Sequence, residues 1–137
     1  MPEYHPGQVW TYKNRKGEEA SRVIICKVEP LSGEEEVVHI QVTGVRVETP
    51  YGMQNKVTHL PMYRSAVNES VLELESNSED IPDCQEGYDS WKKAYEKGGA
   101  GIFTISIADC VDLLEEAMNK GEPVEYEEQT ETKNDQP

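Results

Sequence analysis

No apolar run in the sequence exceeds four residues, the longest being Val23 to Cys26, whereas a membrane-spanning helix needs about 20. No membrane segment is expected. The first twenty residues carry Glu3, Lys13, Arg15, Lys16, Glu18 and Glu19 where a secretory signal would place its apolar core. A cytoplasmic chain is expected. Cysteine is scarce as well, with Cys26, Cys84 and Cys110 forming an odd set at wide spacing without a Cys-x-x-Cys. That matches neither a disulfide framework nor a zinc site, so three reduced thiols are expected and no metal or cofactor is assigned. Basic residues are also few: 13 Lys and Arg stand against 27 Asp and Glu, for a net charge of -14. Affinity for phosphates is built from clustered Lys and Arg, which excludes nucleic acid and anionic membranes as expected partners.

What is present fits one domain over residues 1–121 followed by an acidic tail over 122–137. A chain of 137 residues with 36% hydrophobic content can bury roughly two-thirds of its unfolded surface, enough for a core without staples. The first half is strand-like. Gly7 to Lys13, a polar turn at Asn14 to Gly17, and Ser21 to Glu29 read as a hairpin. The second of these strands is apolar on both sides in its middle, so a central place in the sheet is expected. In Glu36 to Glu48, Val38, Ile40 and Val42 alternate on one face, but the pattern resumes out of phase at Val45 and Val47. Gly44 lies between the two registers, where a bulge would keep both sets on one core. A curved sheet, partly closed into a barrel, is expected. Thr49 to Lys56 reads as a loop and Val57 to Leu60 as a short fourth strand ending at Pro61.

Helical spacing follows. Ala66, Val67, Ser70, Val71 and Leu74 form one stripe of a helix of about three turns. Tyr88, Trp91 and Tyr95 mark a second helix, which stops at Gly98-Gly99-Ala100-Gly101. Ile102 to Ile105 reads as extended. Ser106 with Asp109 opens a third helix whose apolar face is Ile107, Cys110, Val111, Leu114, Ala117 and Met118, with Gly121 as its stop. The tail has only Val124 and Tyr126 as large apolar residues, too few to offset ordering entropy, so it is expected to be disordered. The fold class is thus α+β, with a curved antiparallel sheet of four or five strands first and three helices packed on it afterwards.

The charge is local. Residues 1–64 balance to zero, whereas 65–87 hold seven acids and no base, and 121–137 contribute a net -5. Glu73, Glu75, Glu79, Asp80, Asp83 and Glu86 therefore form a candidate docking flank for a basic protein, since a field of one sign speeds encounter with its opposite. A solvated helix face is the plainer use of such a segment. A calcium loop is disfavoured, because the acids lack EF-hand spacing.

General acid or base chemistry would be sought at His5, His39 and His59. If the third and fourth strands pair, His39 and His59 approach each other. Neither is followed by a hydroxyl residue two positions on, as a two-histidine phosphoesterase would require. Trp10, Tyr12 and Trp91 are candidate lining for a ligand pocket between sheet and helices, though core packing is the commoner use of such aromatics. Cys26 and Cys110 fall on apolar faces, and Cys84 lies beside Asp83 and Glu86, which disfavours a thiolate. The glycines at 98–101 lack the Lys-Ser/Thr of a phosphate loop. No catalytic residue is assigned, and no enzyme class follows.

Taken together, Gly7-Gln8-Val9-Trp10-Thr11-Tyr12, Glu19 to Ser21, Val38-His39-Ile40, His59-Leu60-Pro61, Tyr88 with Trp91, and Gly101-Ile102-Phe103-Thr104 resemble a family of small uncharacterised bacterial cytoplasmic proteins over roughly residues 5–120. The resemblance implies a bacterial setting and a tail outside the shared body, and carries over no statement about activity, cofactor or partner. The opening strand also resembles small barrels of the endoribonuclease toxin type, without the basic RNA-facing residues expected there. The function expected from sequence is an acidic binding protein, such as an immunity protein or inhibitor seated on a basic partner. Its alternative is a small-ligand-binding protein or hydrolase using His39 and His59. A structural homodimer through an open sheet edge is a third option.

Overall fold

The computed structural model describes residues 3–31 and 35–120; the expected acidic tail lies outside them. Five antiparallel strands, β1 (Gln8–Tyr12), β2 (Arg22–Pro30), β3 (Glu36–Thr49), β4 (Gly52–Tyr63) and β5 (Val71–Asn77), form one open sheet in the order β4-β3-β2-β1-β5. The helices are α1 (Arg64–Ser70), α2 (Gln85–Glu96) and α3 (Ile107–Lys120). The chain is α+β as expected, with β2 inside the sheet.

Alternation along β3 divides the molecule into two layers. Val38, Ile40 and Val42 pack with Ala66 and Val67 of α1 and with Ile107, Cys110 and Val111 of α3. Val37 faces the other way, into a second cluster with Trp91 of α2, Ala100 and Ile102. Gly44 does what the phase change in the sequence requires. It has φ of +70°, the β3 to β4 register shifts between Thr43 and Val47, and Val45 and Val47 rejoin the first core. A Cβ at this position would stand 2.9 Å from Ser21 Cα, so glycine is demanded twice over. Ser106 also caps α3 as read, its Oγ accepting the Asp109 N–H at 3.1 Å.

Three expectations are corrected. The sheet is not closed into a barrel, because β4 and β5 lie at its two edges. The helix expected through Leu74 ends at Ser70, and residues 71–77 instead pair with β1. Helical spacing loses there because β1 offers a free edge and Val71 and its leucines accept extended backbone. Ser70 Oγ is spent on Ala66 O at 3.0 Å and on the Ile107 N–H at 3.1 Å, which fixes the changeover. The loop expected at 49–56 is mostly a hairpin arm. Thr49 Oγ1 accepts the Tyr51 N–H at 3.1 Å and donates to Gly52 O at 2.7 Å, and β4 then runs through Pro61. That proline is tolerated on an edge strand, where Pro61 O accepts the Phe103 N–H at 2.9 Å. The helices pack on both faces of the sheet, α1 and α3 on one and α2 on the other. No helix among the described residues is long and apolar enough to cross a membrane.

Candidate functional site

A second bulge builds the site. In β2 the pairing with β3 shifts between Ile25 and Lys27, with Cys26 as the extra residue. Without that slip, Glu29 would share a face with Val23 and Ile25, inside the core between sheet and α3. With it, Glu29 points to the α2 side, where His39 of β3 already lies beside the second cluster. A further register shift in β4, opposite the Ile40 to Val42 step, brings His59 beside His39.

The result is a continuous polar chain within an aromatic cage. His39 is fully buried; its Nε2 lies 2.8 Å from Glu29 Oε1 and its Nδ1 lies 2.9 Å from His59 Nε2. Tyr88 OH donates to Glu29 Oε2 at 2.6 Å, and Lys92 Nζ stands 3.7 Å from the same oxygen. The rings of Tyr88 and Trp91 meet His39 edge-on, each with its centroid 4.9 Å away. Trp91 is held in turn by its Nε1–H to Gly101 O at 2.8 Å and by stacking on Tyr95 at 4.8 Å. The helical stripe Tyr88, Trp91 and Tyr95 is therefore the face that α2 lays on the sheet. Gly87 lets that helix approach, since a Cβ there would fall 2.8 Å from His59 Cβ.

Electrostatics fix where the protons sit. Burial alone would raise the Glu29 carboxyl, but the hydrogen bonds from Tyr88 and His39 outweigh it and hold the group below its usual value. Burial lowers His39 despite Glu29, and burial together with His39 lowers His59 to about 4. Burial, with the acceptor Glu29, pushes the Tyr88 phenol up to about 12. At neutral pH the chain is thus a carboxylate, two neutral imidazoles and a phenol. An ionised carboxylate only accepts, so His39 carries its proton on Nε2 and accepts at Nδ1. His59 must then donate from Nε2, which leaves the lone pair on its Nδ1. That atom has no hydrogen-bond partner among the described residues, and His59 is only partly buried. His59 lines a cleft of about 480 Å³ together with Thr58, Leu60, Pro61, Ser90 and Trp91.

Of the residues singled out from sequence, His39 and His59 meet and Trp91 stands beside them. Trp10 and Tyr12 do not join them, which corrects the expected shared pocket. Trp10 pairs in register with Val23, so both aromatics face the α3 side, where Trp10 Nε1 donates to Gln8 Oε1 at 3.1 Å and Tyr12 OH bonds Ser21 Oγ at 2.7 Å. His5 is exposed near Glu3. The acidic residues are spread over three elements. Glu73 and Glu75 lie on β5, Glu75 accepting from Arg22 Nε at 2.9 Å. Glu79 and Asp80 lie in the following connection, Asp83 Oδ1 accepts the Gln85 N–H at 3.2 Å, and Glu86 is in the first turn of α2. No group of His, Cys, Asp and Glu among the described residues is arranged to hold a metal ion. Glu29 was missed from sequence because nothing in the β2 stretch marks its bulge.

Fold and site together define an open-sheet α+β protein with a buried carboxylate–imidazole–imidazole chain ending in a cleft. No protein-family model matches the chain, and no curated protein or solved structure matches it either. The family resemblance noted above gains no support from these comparisons, so function rests on the site itself.

Proposed function

We propose that the protein binds a small neutral molecule in the cleft beside His59, through an apolar body lying against Trp91, Leu60 and Pro61 and an O–H or N–H group that donates to His59 Nδ1. The observation that carries this is the unpaired lone pair of His59 at the open end of a chain whose other groups are all engaged. A pocket that is mostly apolar with one oriented acceptor is a common plan for small-ligand recognition. Anions are disfavoured, because a neutral imidazole with a free lone pair repels them and the chain carries -14. Binding is favoured over hydrolysis. A histidine lowered to about 4 is a weak base at neutral pH, and neither Ser90 nor Thr58, the hydroxyls lining the cleft, is hydrogen-bonded to it.

The docking reading of the acidic residues has no comparable convergence, since Glu75 is engaged by Arg22 and the others are distributed along the chain. A cytoplasmic setting fits an odd set of three widely spaced cysteines, which is no disulfide framework. The test compares two probes of similar shape, p-cresol and p-toluate. At tenfold excess over its Kd, p-cresol is expected to raise the melting temperature by about 5 °C. The toluate should give no shift, and His59→Leu should abolish the cresol effect while keeping a cooperative transition. An equal response to toluate, or a cresol shift that survives in His59→Leu, contradicts the reading.

A further inference from the structure

Cys26 and Cys84 are 58 positions apart in sequence, and nothing in their spacing pairs them. The fold does. Cys26 is the extra residue of the β2 bulge, which gives it no counterpart in β3. Cys84 is the residue that starts α2, the helix packed over that part of the sheet. Both line one cavity of about 190 Å³ with Lys27, Pro82 and Tyr88, and burial together with the neighbouring Cys84 raises the Cys26 thiol. Both are free, with Cys26 buried and Cys84 partly exposed, whereas Cys110 is buried on the far side of the sheet against Met62.

We infer that Cys26 and Cys84 form a reversible disulfide, a modification site that takes a low-molecular-weight disulfide such as oxidised glutathione as co-reactant. The accessible Cys84 thiol reacts first. It gives its proton to solvent, its sulfur attacks one sulfur of the oxidised glutathione, and a glutathione thiolate leaves, so that Cys84 becomes a mixed disulfide. Cys26 then loses its proton, attacks the Cys84 sulfur and releases the second glutathione. Two protein thiols are oxidised and one glutathione disulfide is reduced to two thiols. Burial raises the Cys26 thiol, which makes the second step the slow one.

The bond would tie the β2 bulge to the first turn of α2. That turn positions the site, because the Tyr88 N–H bonds Cys84 O at 2.9 Å and Tyr88 OH bonds Glu29. Oxidation therefore clamps the helix that closes the imidazole chain. Disulfide formation needs no ligand in the cleft beside His59.

The test is to incubate the folded full chain with oxidised glutathione, quench with acid, and count thiols and map linkages by mass spectrometry. Two of the three thiols should be lost, with the peptides bearing Cys26 and Cys84 joined and no glutathione retained. Dithiothreitol should restore all three. Cys26→Ser should stop at a glutathione adduct on Cys84, Cys84→Ser should resist oxidation, and Cys110→Ser should behave as the parent chain. In denaturant the preference for this pair should disappear, showing that the fold directs it. A glutathione adduct that persists on Cys84 of the parent chain, three unreacted thiols, or linkage to Cys110 in the folded chain would overturn the inference.

Discussion

Arg15→Ala is expected to lower the unfolding free energy by about 3–5 kcal/mol, the cost of removing one partner from a buried charge pair. Arg15 sits in the connection between β1 and β2 and gathers three carboxylates. Its Nε and Nη2 grip Glu18 at 2.9 and 2.6 Å, and its Nη1 reaches Asp112 at 3.0 Å and Glu115 at 2.9 Å on α3. Nη2 also donates to Arg46 O at 3.0 Å. Glu18 is only 5% exposed and is held below its usual value chiefly by the hydrogen bonds from Arg15. Alanine would leave that carboxylate buried with only the Arg46 N–H at 2.7 Å to satisfy it. It would also release α3 from the β1 to β2 connection. Urea unfolding gives the number directly. Replacing both residues, Arg15→Met with Glu18→Leu, should cost less than Arg15→Ala alone, because the buried orphan charge of Glu18 is gone and Asp112 and, in part, Glu115 are open to solvent. A loss below about 1 kcal/mol in the single variant, in the range of an exposed pair, would show that Glu18 is hydrated.

The second large effect is a fall in stability on acidification. Both site histidines have folded values below the ordinary 6.5, His59 at about 4. Between those values the unfolded chain binds more protons than the folded chain, so stability drops as pH falls. His59 alone, lowered from 6.5 to about 4, contributes about 3 kcal/mol that is lost in full only below its folded value. His39 adds in the same direction. Glu29 is depressed as well, and its contribution is lost as pH falls below the usual carboxylate range. The melting temperature should therefore decline from near pH 6.5 downward, before carboxylates begin to titrate. His59→Gln, which retains a donor for His39, should flatten the upper part of that decline. A parent curve level between pH 6.5 and 5, or an unchanged slope in His59→Gln, would mean that the imidazoles are not buried neutral.

Why the fold was readable and the site only half so comes down to the two bulges. At Gly44 the sequence carries both signs of a bulge, a phase slip in the valines and a residue that accepts φ of +70°, and both cores follow from it. At Cys26 neither sign exists. The apolar run Val23 to Cys26 looks the same in either phase, so regular alternation places Glu29 on the wrong face and hides the carboxylate that orients His39. His39 and His59 were legible because β3 alternates cleanly up to Val42 and pairs with its hairpin neighbour. The stripe of α2 was legible too, but not which side of the sheet it would cover. That side is set by long-range packing of Val37 and Ile102 with Trp91, which periodicity does not encode. The misread at Leu74 has the same origin. A stripe at helical spacing gave way to an open edge on β1, a partner that local sequence does not announce.

The central claim is the proton order along Glu29, His39 and His59, and nitrogen-15 NMR of the histidine rings measures it directly. At pH 7 the account predicts two neutral imidazoles with protons on Nε2 of both His39 and His59, and an unprotonated Nδ1 on His59 that shifts when p-cresol is added. A proton on His59 Nδ1, or a doubly protonated ring at either residue, would contradict it.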